Sequence, residues 1–132
     1  MISLLVVSHS AEAARGIGSI AGQMAGGQVL IEACGGTDEG ALGTSVPAIL
    51  AALEGLLARS EGVVVVPDLG SAVLAARTAR EFLGEGADRV LIADGPVLEG
   101  TLMASVEASV GASLDRVAAV VGEARNLKKL QD

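Results

Sequence analysis

Aromatic side chains are almost absent from this chain: Phe82 stands alone, with no Trp and no Tyr. A core must therefore be packed from Val, Leu, Ile and Ala, and no aromatic platform is available for stacking nucleic-acid bases. Cysteine is limited to Cys34 and histidine to His9, which excludes an internal disulfide and makes a multi-ligand transition-metal site of the usual kind an unsuitable reading. A lone thiol of this sort is ordinarily buried filler. Lysine occurs only as Lys128 and Lys129, so no G-x-x-x-x-G-K-[ST] phosphate loop exists. Nine Lys and Arg stand against 16 Asp and Glu, a formal charge of −7. That balance argues against binding nucleic acid or an anionic membrane surface and favours protein partners with basic surfaces. No apolar run is long enough to span a bilayer, and the first, Ile2–Val7, has no basic residue ahead of it as a signal peptide would. The expectation is a soluble cytoplasmic protein.

What the chain does have is aliphatic bulk and glycine. With 132 residues, 51% hydrophobic, it matches one domain with a substantial core, expected over residues 1–125 and followed by a polar tail, 126–132. Four short apolar runs indicate strands at Ile2–Val7, Gln28–Ala33, Gly62–Val66 and Arg89–Ala93. Between them lie helical periods. The clearest is Val46, Ile49, Leu50, Leu53, Leu56 and Leu57; Ile17, Ile20, Ala21 and Met24 form another, and Leu69, Ala72, Val73, Ala76 and Leu83 a third. Alternation of this kind specifies an α/β fold: an open, mostly parallel four-stranded sheet with helices on both faces. Residues 97–125 divide into two helical segments near Gly111, with Ser113 or Asp115 available to cap the second.

In such a sheet, reactive groups gather where strands end and helices begin. His9 falls at the first of these turns, flanked by Ser8 and Ser10, where an imidazole is a good nucleophile toward phosphoryl groups and a helix N-terminus receives the resulting anion. Asp68 occupies the turn after the third strand, which should lie beside the first. A carboxylate there is suited to accepting the His9 Nδ1–H and leaving Nε2 free, although Asp is also a common helix cap. The loop Gly35–Ser45 is long for a strand-to-helix connection and rich in Gly and hydroxyls; it either shapes the site or serves as a flexible lid with Thr44 as cap. The stretch Gly16-Ile17-Gly18-Ser19-Ile20-Ala21 matches a dinucleotide fingerprint in letters only. It starts nine residues past Val7, inside the expected helix, where small residues suit close packing better.

Val7-Ser8-His9-Ser10, Gly43-Thr44, Asp68-Leu69-Gly70-Ser71-Ala72 and Leu98-Glu99-Gly100-Thr101-Leu102 together resemble motifs of the mannose-type enzyme IIA family of the phosphotransferase system. The resemblance covers nearly the whole chain. The last motif is more like the branch that forms phosphotransfer subunits of phosphoenolpyruvate-dependent dihydroxyacetone kinases. The resemblance implies a phosphohistidine relay: His9 accepts a phosphoryl group from the carrier HPr, itself fed by enzyme I, and passes it to ADP held by a partner kinase subunit. It further implies a homodimer, no cofactor bound in this subunit, ADP/ATP on the partner, an orienting role for Asp68, and supporting or phosphate-binding roles for Ser8, Ser10, Gly70, Ser71, Thr44 and Thr101. Two alternatives stay open: a sugar-transport enzyme IIA donating to a IIB domain, and a non-enzymatic small-molecule or nucleotide-binding module.

Overall fold

Two strands form the centre of the sheet because their residues are apolar on both faces. In the computed structural model, which describes residues 1–130, β1 (Ile2–Ser8) and β3 (Gly62–Pro67) are buried at every position. β2 (Ile31–Gly35) and β4 (Val90–Ile92) lie at the edges, giving the order β2-β1-β3-β4 with every pair parallel. The expected α/β architecture is the one observed. Strand β2 starts later than the expected Gln28 because residues 25–28 are still turning: Gly27 N–H donates to the Gly22 carbonyl and Gln28 N–H to that of Ala25. Strand β4 is shorter than expected. Arg89 closes a 3₁₀ turn at Gly84–Arg89 and spends its guanidinium on the carbonyls of Leu57, Ser60 and Glu61.

The alternation of side chains along the central strands sorts the core into two halves. Leu4, Val64 and Val66 face Ala104 and Ala108 of α4 (Val97–Ser109) and Val117, Val120 and Val121 of α5 (Leu114–Glu123). Leu5, Val7, Val63 and Val65 face Ile49, Leu53 and Leu56 of α2 (Val46–Leu57) and the alanines of α3 (Gly70–Glu81). Each such fully buried Val or Leu contributes about 1.5–3 kcal/mol, and with no aromatic ring inside, these contacts carry the core. The first helix, α1 (Ala11–Met24), buries Ala14 and Ala21 but leaves Ile20 and Met24 exposed, so its apolar stripe is wider than the sheet covers.

Helices α4 and α5 break at Gly111, as the sequence indicates, and Ser113 caps α5 by accepting the Arg116 N–H at 3.2 Å. Their close crossing depends on Gly100, where an added Cβ would stand 2.7 Å from Val121 Cγ1. The glycine pair in the fingerprint-like stretch lies within α1; Gly18 meets β2 at ordinary contact distance and Gly16 faces open space, so packing explains only one of them. Of the expected tail, Asn126 ends a 3₁₀ turn and Leu127 and Leu130 are exposed, while residues 131–132 lie outside the described residues. Among the described residues no helix is long and apolar enough to cross a membrane.

Candidate active site

Parallel register brings the ends of β1 and β3 to the same level, since Val7 pairs with Pro67 and the Asp68 N–H donates to the Val7 carbonyl at 3.0 Å. The chain leaves β1 toward β2 on one side and β3 lies on the other, so this is the point where the strand order reverses and a crevice opens. His9 and Asp68 meet there. The His9 Nδ1 lies 2.9 Å from Asp68 Oδ1, and the His9 main-chain N–H donates to Oδ2 at 3.0 Å. A carboxylate only accepts, so Nδ1 carries the ring proton and Nε2 presents its lone pair. The Ser71 hydroxyl hydrogen-bonds to that Nε2.

Partial burial works to raise the Asp68 pKa but is outweighed. Hydrogen bonds from the His9 N–H, the Ser8 hydroxyl and the His9 ring, with the attraction of the imidazole, hold it below the ordinary carboxylate value. Asp68 is not a helix cap. That position in α3 belongs to Leu69, whose side chain caps nothing, so the first N–H groups of the helix have no side-chain partner at the end nearest His9. An imidazole held at Nδ1, with Nε2 accessible beside a hydroxyl and a helix N-terminus, is equipped to accept and hold a phosphoryl group.

Comparison with known proteins agrees with this chemistry. Residues 3–118 match EIIA-man, described as the PTS system fructose IIA component. The chain belongs to that family. Among curated relatives it is 37% identical over 125 residues to the phosphoryl donor subunit DhaM of PEP-dependent dihydroxyacetone kinase from Escherichia coli, covering 89% of this chain and 25% of the relative. It is 36% identical to the Klebsiella michiganensis DhaM, covering 99% and 28% respectively. The chain thus spans about a quarter of the length of these relatives. With the DhaM of a second dihydroxyacetone kinase in Listeria innocua, 36% identity extends over 89% of this chain and 94% of the relative. A crystal structure of a protein of unknown function superposes with a TM-score of 0.82 at 31% identity, covering 98% of this chain and 97% of the other. A phosphotransferase system EIIA component from Streptococcus agalactiae shares the fold, with a TM-score of 0.69 at 18% identity, covering 95% and 92%.

The remaining family-motif residues divide by location. Ser10 caps α1, accepting the Ala13 N–H at 3.2 Å. Gly70 opens α3 beside Ser71. Ser8 is only 2% exposed and turned inward, so it does not bind phosphate directly. Thr101 is also corrected: it is fully buried in α4, and its hydroxyl donates to the Val97 carbonyl at 2.5 Å. Thr44 does not cap α2, because Ser45 does, accepting the Ala48 N–H while donating to Asp38 Oδ1. Thr44 instead lines a small cleft with Ser8, Cys34 and Gly35. Cys34 is half-buried, and burial, then the charge of Glu32, pushes its thiol up to about 11, leaving it a poor nucleophile at neutral pH.

The sequence reading marked the loop glycines without their contacts. The Gly43 N–H donates to the His9 carbonyl at 2.9 Å, so the long loop is tied directly to His9. It is also cross-tied internally, Thr37 bonding Ala41 through both main-chain and side-chain atoms, which is the arrangement of a site-shaping loop rather than a loose lid. At Gly35 an added Cβ would stand 2.5 Å from the Ser10 carbonyl, so β2 can approach the start of α1 only with glycine there. Glycine content alone marked the loop but could not say which glycine touches which residue.

Proposed function

We propose that this chain carries a phosphoryl group on His9 Nε2, as the phosphoryl donor subunit of a PEP-dependent dihydroxyacetone kinase. The observation that carries the reading is the hydrogen bond from the His9 Nδ1–H to Asp68, which leaves Nε2 as the nucleophilic nitrogen at an open strand end. In the accepting step the Nε2 lone pair forms a bond to phosphorus as the donor's N–P bond breaks, and no proton has to leave Nε2. Asp68 balances the positive charge that develops on the ring. The Ser71 hydroxyl then turns from Nε2 to a phosphoryl oxygen, alongside the uncapped start of α3. In the donating step an oxygen of the acceptor attacks phosphorus, and the N–P electrons return to Nε2.

The upstream donor in this reading is HPr, charged by enzyme I, and the acceptor is ADP held by a partner kinase subunit. The DhaM relatives favour that acceptor over a IIB domain. A formal charge of −7 favours partners with basic rims and an association rate that falls with salt. This chain is assigned no cofactor of its own, and among the described residues no cluster of His, Cys, Asp and Glu is suited to hold a metal ion. A homodimer is part of the same proposal. Met24, Leu102, Met103, Val106 and Leu127, with Glu99 and Glu107, line a groove at α1 and α4 that includes neither His9 nor Asp68, and a second copy is its proposed occupant. The test is to phosphorylate the protein with phosphoenolpyruvate, enzyme I and HPr, then offer it in parallel an ADP-loaded dihydroxyacetone kinase subunit and a mannose-type IIB domain. ATP formation in the first reaction is expected. Discharge to IIB without ATP formation would reassign the acceptor, and an equal adduct on His9→Ala would remove the relay.

A further inference from the structure

We propose that Ser8 is a positioning residue for His9, acting through Asp68 rather than on the phosphoryl group. Its side chain lies behind the site, 2% exposed, out of reach of any partner. A serine hydroxyl has one proton to give and two lone pairs to accept with. The Ser10 N–H donates to Ser8 Oγ at 3.1 Å, so one lone pair is engaged on the side of α1. The Ser8 proton points the other way, to Asp68 Oδ2 at 2.9 Å.

Oδ2 therefore receives two donors, the Ser8 hydroxyl and the His9 main-chain N–H at 3.0 Å. With that oxygen held from two directions, rotation of the carboxylate is restricted and Oδ1 is left aimed at Nδ1, 2.9 Å away. Hydrogen bonds to an ionised group are the stronger kind, and they hold the carboxylate ionised as well as in place. Removing Ser8 leaves Oδ2 with the main-chain donor alone. The carboxylate then gains freedom, its proton affinity rises, and the tautomer with the proton on Nε2 becomes populated. That tautomer cannot attack phosphorus. The competing role is a purely local one, in which Ser8 only satisfies the Ser10 N–H and fills the strand end.

The inference deepens the proposed relay, but its principal test does not depend on it. Because His9 is the only histidine, ¹⁵N imidazole spectra of the free protein report one residue without ambiguity. Expected for Ser8→Ala is a shift from the Nδ1–H tautomer toward a mixture, an upward move of the Asp68 carboxyl titration followed by ¹³C, and phosphoryl uptake slower by about 10-fold. Ser8→Thr, which keeps the hydroxyl, restores all three. Ser105→Ala, which deletes a buried hydroxyl elsewhere, changes none of them. If Ser8→Ala does not fold, Ser8→Cys, close in volume with a weak donor, takes its place with the same readouts. Wild-type tautomer populations and Asp68 titration in the donor-deficient variant would overturn the proposal, as would a loss that Ser8→Thr fails to reverse. Absence of any phosphoryl uptake by the wild type would count against the relay alone, since the spectra still decide the role of Ser8.

Discussion

One carboxylate holds both the ring and the main chain of His9: Asp68 Oδ1 lies 2.9 Å from Nδ1, while Oδ2 accepts the His9 N–H at 3.0 Å. The ring is thus fixed relative to its own backbone, and its tautomer is set by a group that only accepts. Asp68→Asn keeps the size of the side chain but offers an NH₂ to Nδ1 in one of its two orientations. Phosphoryl uptake by Asp68→Asn is expected to fall by about 10²–10⁴-fold, as for other orienting carboxylates. Rapid-quench uptake assays on wild type and variant, with circular dichroism to confirm the fold, measure it; equal rates would leave Asp68 as a tether of the turn.

The same hydrogen bonds make stability depend on acidity. The folded-state pKa of Asp68 is lowered: burial alone would raise it, but the donors on its oxygens and the attraction of the His9 ring outweigh that. Its stabilising contribution is therefore fully present above the ordinary Asp value of about 3.9 and is lost as pH falls through the lower folded value. Denaturant unfolding at a series of acidic pH values should show the wild type losing more stability than Asp68→Asn across that window. Parallel curves for the two proteins would mean that the carboxylate gains nothing from its partners.

Much of this was legible because strand ends in an α/β sheet leave few places for chemistry. His9 and Asp68 stand immediately past apolar runs whose burial on both faces fixed them as central strands, and parallel neighbours then had to bring their ends together. The direction of hydroxyl groups was not legible. Ser8, Ser71 and Thr101 are similar letters in three motifs, yet one turns inward to Asp68, one lies on His9 Nε2 and one is buried against the Val97 carbonyl. Side-chain direction follows from local backbone and tertiary packing, which spacing does not encode. Edge strands blurred for a related reason: β2 is half-buried throughout, so its apolar pattern carried no sharp start.

The Leu98–Leu102 motif illustrates how a family signature can be a packing device. Gly100 sits under Val121, and Gly95 is closed off by the same residue's carbonyl, so α5 rests on the start of α4 without room for a methyl group. Gly100→Ala should destabilise the fold by about 1–3 kcal/mol through overpacking, although Ala is the better helix former in isolation. The His9–Asp68–Ser71 cluster lies on other elements, so the phosphoryl uptake rate of the folded fraction should stay near wild type. Thermal unfolding monitored beside uptake assays separates the two effects. A variant as stable as the wild type would show that the helices readjust without cost.

The proposed homodimer through the apolar groove between α1 and α4 is testable by introducing a charge there. Met24 and Val106 are 57% and 42% exposed, so a polar substitution at either loses little of the folded core. Glu99 and Glu107 flank the groove, Glu107 paired with Arg116 at 3.4 Å, and a two-fold arrangement uses the same patch on both copies, so an acidic group introduced at its centre is introduced twice. Sedimentation equilibrium on wild type and on Val106→Asp provides the measurement. A dimer that becomes a monomer in Val106→Asp, with unfolding temperature nearly unchanged, is the expected result, because the buried carboxylate would lie in the apolar centre of the interface without a partner. A wild-type protein that sediments as a monomer at every loading, or a Val106→Asp dimer as tight as the wild type, would remove this face from the proposal and leave the His9 site untouched.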